Sequence, residues 1–236
     1  MEDCGDDTDN DGYNNSDDDF PLNPTQWSDA DGDGYVDGTP FNAVSYFVNL
    51  SKEFNENHKL SFTAFGAKQR HGQRQNSQLI STFRESERGI RYNSDWGYKQ
   101  GQLTSVEDNF YHKPQISLNH YWTVNDKTTV STAAYVSFGS GGGGGFSGVN
   151  KFRYDDDAYR IGNLGTVDFD KIVAENEALG VNGSETILRA SRNDHNWYGV
   201  LSSIKTDLSE NLVFLGGVDF RRYLGKHFTE LTDLLG

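Results

Sequence analysis

Residues 110–146 read FYHKPQISLNHYWTVNDKTTVSTAAYVSFGSGGGGGF. Over 115–124 one parity carries Ile116, Leu118, Trp122 and Val124, and the other carries Ser117, Asn119, Tyr121 and Thr123. That is period two, the signature of a strand with two chemically different faces. Asn125-Asp126-Lys127 supplies turn formers, after which Val130, Ala134, Val136 and Phe138 oppose Thr129, Ser131, Ala133 and Ser137. The reading is a hairpin of two long strands followed by a glycine-rich release into a loop. Strands in soluble sheets run to roughly 5–6 residues, whereas a tilted strand crossing a bilayer needs about 9–11. The length favours the bilayer.

Two flanking stretches repeat this design. Upstream, Val44, Tyr46, Val48 and Leu50 share a face, Phe54-Asn-Glu-Asn-His58 turns the chain, and Leu60, Phe62 and Ala64 begin the return. The polar, basic run 66–74 is expected to leave the sheet as loop or lumen wall. Downstream, Tyr198, Val200 and Ile204 lead to the turn Leu208-Ser-Glu-Asn211, and Leu212, Phe214, Val218 and Phe220 lead out, with Asp219 and Arg221 on the other face. Between the hairpins lie excursions, one over 75–109 anchored by Trp96 and Tyr98 and one over 140–196. Short turns alternating with long links are the pattern of an up-and-down transmembrane barrel.

Charge divides the chain. Residues 1–40 hold 13 acidic residues and no Lys or Arg, leaving 22 acidic against 21 basic residues in the remainder of the 236. The net charge of −14 therefore belongs to the N-terminal segment, and two units are expected, 1–40 and 41–236. No stretch approaches the 18 apolar residues of a helical span. The mean hydropathy of −0.73 suits a barrel with a polar lumen and wet loops. The single Cys4 makes no internal disulfide, and the first residues do not read as a signal peptide. No nucleic-acid partner is expected.

The acidic segment contains two ladders. Asp7, Asp9, Asp11, Asn15 and Asp18 stand at positions 1, 3, 5, 9 and 12 of a loop with Gly12 at position 6, the spacing of an EF-hand-type calcium loop. The carbonyl of Tyr13 would fill position 7. Asp29, Asp31, Asp33 and Asp37 repeat positions 1, 3, 5 and 9 around Gly34, with Pro40 where the bidentate acid belongs. Alternate carboxylates of this kind converge on one hard cation, and so few apolar residues order themselves only with it. The spacer Phe20-Pro21…Pro24…Gln26-Trp27 has no helical period. With its ladders it resembles the thrombospondin type 3 repeat family over about residues 3–38, which implies calcium held by those nine side chains.

Over 41–236, the stretches 60–67 (LSFTAFGA), 71–74 (HGQR), 110–121 (FYHKPQISLNHY), 135–144 (YVSFGSGGGG) and 217–223 (GVDFRRY) resemble the barrel of TonB-dependent outer-membrane receptors, in the subfamily that imports glycans or peptides. The resemblance implies a bacterial outer-membrane location, contact with the lipid bilayer, a surface lipoprotein partner and coupling to the TonB system. The acidic segment is expected on the extracellular side. The family barrel has about 22 strands and an internal plug; about six strands are expected here, an all-β antiparallel section of the wall. The short turns are expected on the periplasmic side, and residues 141–145 where the backbone leaves the membrane.

Other signals carry less. Gly139-Ser-Gly141-Gly-Gly-Gly144 satisfies GxGxxG, but no helix of a crossover unit is expected after it. His71 with Arg70 and Arg74 suits a polar lumen wall, or a metal or anion site. His112, His120 and His195 have no ligand spacing, Trp197 and Tyr198 suit an interfacial girdle, and Asp155-Asp156-Asp157 reads as a solvated run. No nucleophilic triad or acid pair can be phased, so no catalysis is expected, including that of a glycan-cleaving β-sandwich. A secreted calcium-binding adhesion module with a soluble β-domain is the alternative.

Overall fold

The computed structural model describes residues 38–86 and 88–236. Both acidic ladders lie outside the described residues. The rest is all-β and mostly antiparallel. The main sheet uses β1 (Phe41–Asn55), β2 (His58–Gly72), β5 (Asp108–His112), β6 (Gln115–Asn125), β7 (Thr128–Gly148), β10 (Thr186–Ser209) and β11 (Leu212–Asp233). These seven strands occupy six lanes. β5 and β6 both pair with β2 on one side and β7 on the other, in one continuous register. They are interrupted at Lys113-Pro114, where proline has no N–H for the ladder.

The three hairpins close at the same end. In the first, the Asn55 side chain accepts from the Asn57 amide at 2.9 Å, and in the second Asn125 accepts from Lys127 at 3.0 Å. This bond makes a local turn without a partner strand. The register slips at Glu53/Asn55, Thr123/Asn125 and Asp207/Ser209, so each hairpin carries an irregularity beside its turn, and β10 and β11 slip again at Leu188/Arg189.

Register aligns the period-two pattern across all six lanes. Leu50, Phe62, Leu118, Ala134, Val200 and Phe220 form one row on one face. The adjoining row on that face holds Val48, Ala64, Ile116, Val136, Tyr198 and Arg222. The other face carries Asn49, Thr63, Ser117, Tyr135, Gly199 and Arg221, then Ser51, Ser61, Asn119, Ala133, Leu201 and Asp219. Its hydroxyls and amides bond to one another, as in Asn49 to Thr63 at 2.7 Å and Asn119 to Ser117 at 3.2 Å. One face is apolar and one polar, yet Leu118, Val200 and Phe220 all stay exposed.

Two expectations for the ends of strands fail. β2 continues to Gly72, so of the two alternatives for this run the loop fails and 66–72 is strand wall, and β7 continues to Gly148, so the glycine run is not a loop. The run pairs with β10 through Arg192 opposite Gly142 and Ala190 opposite Gly144. A Cβ on Gly144 would meet the Asp108 amide nitrogen at 2.3 Å, so glycine here admits a neighbouring backbone. The second excursion shrinks accordingly to 149–185.

The excursions build a cap. The first contributes α1 (Ile80–Glu85), β3 (Trp96–Lys99) and β4 (Gln102–Ser105), and the second β8 (Arg160–Ile161), β9 (Thr166–Asp168) and α2 (Phe169–Leu179). They join through the parallel pair β3 and β9 in a sheet ordered β4-β3-β9-β8. Asp168 caps α2 by accepting from the Lys171 amide at 3.0 Å, and Gly180, at φ +55°, ends it. Phe169, Ile172 and Asn176, at helical spacing, are its buried residues. The main core of the described residues lies in the cap: Val106, Phe152, Val167, Phe169, Ile172, Leu188 and Leu235, with Phe146 packed against it. Leu188 and Phe146 are register partners on the apolar face, so the cap sits on that face, beyond its apolar rows.

Candidate functional site

The cap and the long-link ends of the strands enclose a cavity of about 520 Å³, within the range of small-ligand pockets. Phe41 and Asn42 of β1 line it, and so do Thr232 and Asp233 at the end of β11. The two outermost strands of the sheet thus reach one cavity. Arg70, Asp108, Arg189 and Asp233 give it charge, His71 adds an imidazole ring, and Leu103, Val106 and Leu188 give it apolar wall. Arg70 holds Asp108 through paired hydrogen bonds, with Nε at 3.0 and 2.9 Å from the two carboxylate oxygens. The His71 ring bonds to the Gly72 carbonyl at 3.1 Å, and Lys99 is paired with Asp233.

The proposed trio of Arg70, His71 and Arg74 is therefore divided. Arg70 and His71 face the cavity, whereas Arg74 donates to the carbonyls of Ile90 and Tyr92 at 2.6 and 3.0 Å and stacks on Phe83. Its role is to tie the first excursion down. The remaining histidines are held separately: His112 bonds Tyr46, His120 stacks on His58, and His195 stacks on Tyr223. Of the acidic run, Asp155 pairs with Arg153 and Asp156 caps the short helical turn at Asp157–Tyr159. Among the described residues no group of three or more His, Cys, Asp or Glu side chains is arranged to hold a metal.

A buried polar network supports the cavity from the cap side. Asp95 is fully buried and accepts from the amides of Gln75 and Asn76 at 2.9 and 3.0 Å, and from Ser94 at 2.9 Å. The Arg160 guanidinium donates to the Ser94 carbonyl at 2.5 Å and to Phe152, joining the two excursions. Burial holds this arginine below its usual range, despite the nearby Tyr92 and Asp95. Beside the network, Glu107 is buried with Oε2 unpartnered. Burial and the Asp95 charge push its carboxyl up to about 7, against the opposing pull of Arg189. Lys151, also buried, bonds Glu175 at 2.8 Å and lies 3.6 Å from Glu185. Burial works against its charge, but these carboxylates outweigh it and hold the ammonium above its usual range.

Sequence reasoning missed Asp95, Glu107, Lys151, Arg160 and Asn176. Asn93-Ser94-Asp95 does carry a local signal, since Asn93 accepts from the Asp95 amide at 3.0 Å in an Asx turn. Nothing local marks the other four. No helix among the described residues is long and apolar enough to cross a membrane, which says nothing of strands. Comparison with family models, with characterised proteins and with solved structures returns no match.

Proposed function

We propose that the chain is a wall section of an outer-membrane β-barrel, that of a TonB-dependent receptor importing an oligosaccharide or peptide. The observation that carries this reading is the apolar row from Leu50 to Phe220, unbroken across six lanes and opposed by hydroxyl and amide rows. A large buried aliphatic or aromatic side chain contributes roughly 1.5–3 kcal/mol. The large side chains of the row are 38–69% exposed, so the row alone leaves roughly 4–8 kcal/mol unrealised in water, a large part of the net stability of a whole domain. Lipid on this face realises it.

β1 and β11 stand at the ends of the sheet order. In hydrocarbon each unpaired backbone group costs several kcal/mol, and the smallest bacterial barrels have about eight strands. Closure therefore requires further strands beside β1 and β11. The surface lipoprotein and the TonB system are the partners this class of barrel uses. Outside the described residues, the acidic segment offers hard oxygen donors suited to calcium, on the extracellular side.

Membrane fractionation and heat-modifiable migration of the full chain test the reading. The expected result is a detergent-requiring, heat-modifiable assembly in which further strands pair with β1 and β11; a monomer soluble without detergent would overturn it. The buried cap core favours a second reading, a secreted calcium-binding module whose β-domain is soluble, and that same soluble monomer would support it.

A further inference from the structure

Two rows beyond the apolar belt, past Tyr46 and Phe138, the same face turns basic. Val44 is partnered by Lys68, Lys68 by His112 and His112 by Ser140. At this level on the last two lanes Asp194 faces Lys226. Arg222 lies four residues from Lys226 on β11, opposite Tyr198, and its guanidinium can snorkel toward the same level. Next along the strands come Arg70 and Arg192, which lean on the Phe110 ring at 5.9 and 5.3 Å.

The charges on this face do not cancel. Its carboxylates are already engaged, Asp108 by Arg70 and both Asp194 and Glu230 by Arg192. Lys68, Arg222 and Lys226 are exposed and have no ion-pair partner among the described residues. Tyr46, in the row between the belt and the basic level, bonds His112 of that level at 3.1 Å, and amphipathic rings here favour a membrane interface. Two residues along a strand advance about 6.6 Å, so the lysines sit one such step beyond Tyr46 and Phe138.

We infer that Lys68, Arg222 and Lys226 bind the phosphate of anionic lipids, uncompensated by any headgroup cation, whose acyl chains cover the apolar rows. This rests on the barrel reading above. An ammonium offers phosphate a point charge and a guanidinium offers a fork of donors. The adjoining apolar rows specify an amphiphile: a free phosphate ion would use the cations and ignore the belt, whereas a phospholipid uses both at their actual separation.

The full chain, reconstituted in phosphatidylcholine vesicles, is probed with spin-labelled phosphatidylcholine and spin-labelled phosphatidic acid. The motionally restricted fraction of each label is measured. Preference for phosphatidic acid is expected at about fivefold, equivalent to one cation engaged near the surface. It should fall to parity in the triple variant Lys68→Gln, Arg222→Gln, Lys226→Gln and persist in Lys68→Arg, Lys226→Arg. Heat-modifiable migration checks that each variant is folded. Restricted lipid without headgroup preference would overturn this inference and leave the barrel reading standing. No restricted lipid of either kind would overturn the barrel reading, and this inference with it.

Discussion

The ring of Tyr135 lies across Gly199 on the neighbouring strand, so close that a Cβ added to the glycine would meet the ring Cζ at 2.3 Å. The same ring makes an edge contact with Trp197, at 5.9 Å between centroids. Gly199→Ala is therefore expected to destabilise the sheet by about 1–3 kcal/mol through overpacking. Truncating Tyr135 to Ala in the same chain should recover part of that loss. Chemical denaturation of the two single variants and the double variant measures the coupling; additive effects would show that the contact does not matter.

Opposite faces of β6 should answer differently to charge. Leu118→Arg places a cation in the middle of the apolar row and is expected to cost about 2–4 kcal/mol in a bilayer, whereas Ser117→Arg, on the polar face, should cost little. The folded fraction after refolding into vesicles, read by heat-modifiable migration, checks the pair. Equal losses would mean that the two faces meet the same solvent.

Glu107 should make the cap sensitive to pH. Its folded carboxyl is raised to about 7, above the ordinary glutamate value of about 4.3. The folded state then holds the proton more tightly than the unfolded one. Its contribution to stability is full below the unfolded value and is lost as pH rises through about 7. Glu107→Gln is expected to flatten that dependence and to gain on the order of 2 kcal/mol at alkaline pH. Melting curves of both proteins across pH 4–9 on the acid-to-alkaline scale check the sign as well as the size.

Asn176 ties α2 to two other segments. Its Nδ2 donates to the carbonyls of Thr186 and Leu235, both at 2.9 Å, and its Oδ1 accepts from the Glu185 amide at 3.1 Å. Asn176→Ala leaves these buried groups unpartnered and should cost about 1–3 kcal/mol. Hydrogen exchange should quicken at Glu185 and Thr186 while the β6–β7 hairpin keeps its protection.

Calcium is expected to protect residues 1–40. With chelator, proteolysis of this segment should accelerate, and Asp7→Ala with Asp29→Ala, at the first position of each loop, should abolish calcium uptake measured by calorimetry. Unchanged uptake in the double variant would exclude the ladders as ligands.

Much of the main sheet was legible because period two is a local property. Ile116 and Leu118 share a face whatever the rest of the chain does, and a short turn such as Asp126-Lys127 fixes the register of the strands it joins. The glycine run misled for a local reason too. Glycine reads as loop unless a neighbour needs the space, and the backbone at Asp108, which occupies the space beside Gly144, is 36 residues away. The cavity was only half visible, since Arg70 and His71 are adjacent in sequence but Arg189 and Asp233 reach it from other lanes.

From the amino-acid order alone come the strands of the three hairpins, their two-faced chemistry and the spacing of the acidic ladders, because each depends on neighbours within one strand, turn or loop. Tertiary structure decided that the excursions fold together as a cap, that the cap rests on the apolar face, and that Asp95, Arg160 and Asn176 hold it. Those outcomes depend on contacts such as Arg160 to Ser94 and Phe146 to Leu188. Such contacts are set by packing and by the need to satisfy buried polar groups, for which no periodicity in the chain is a guide.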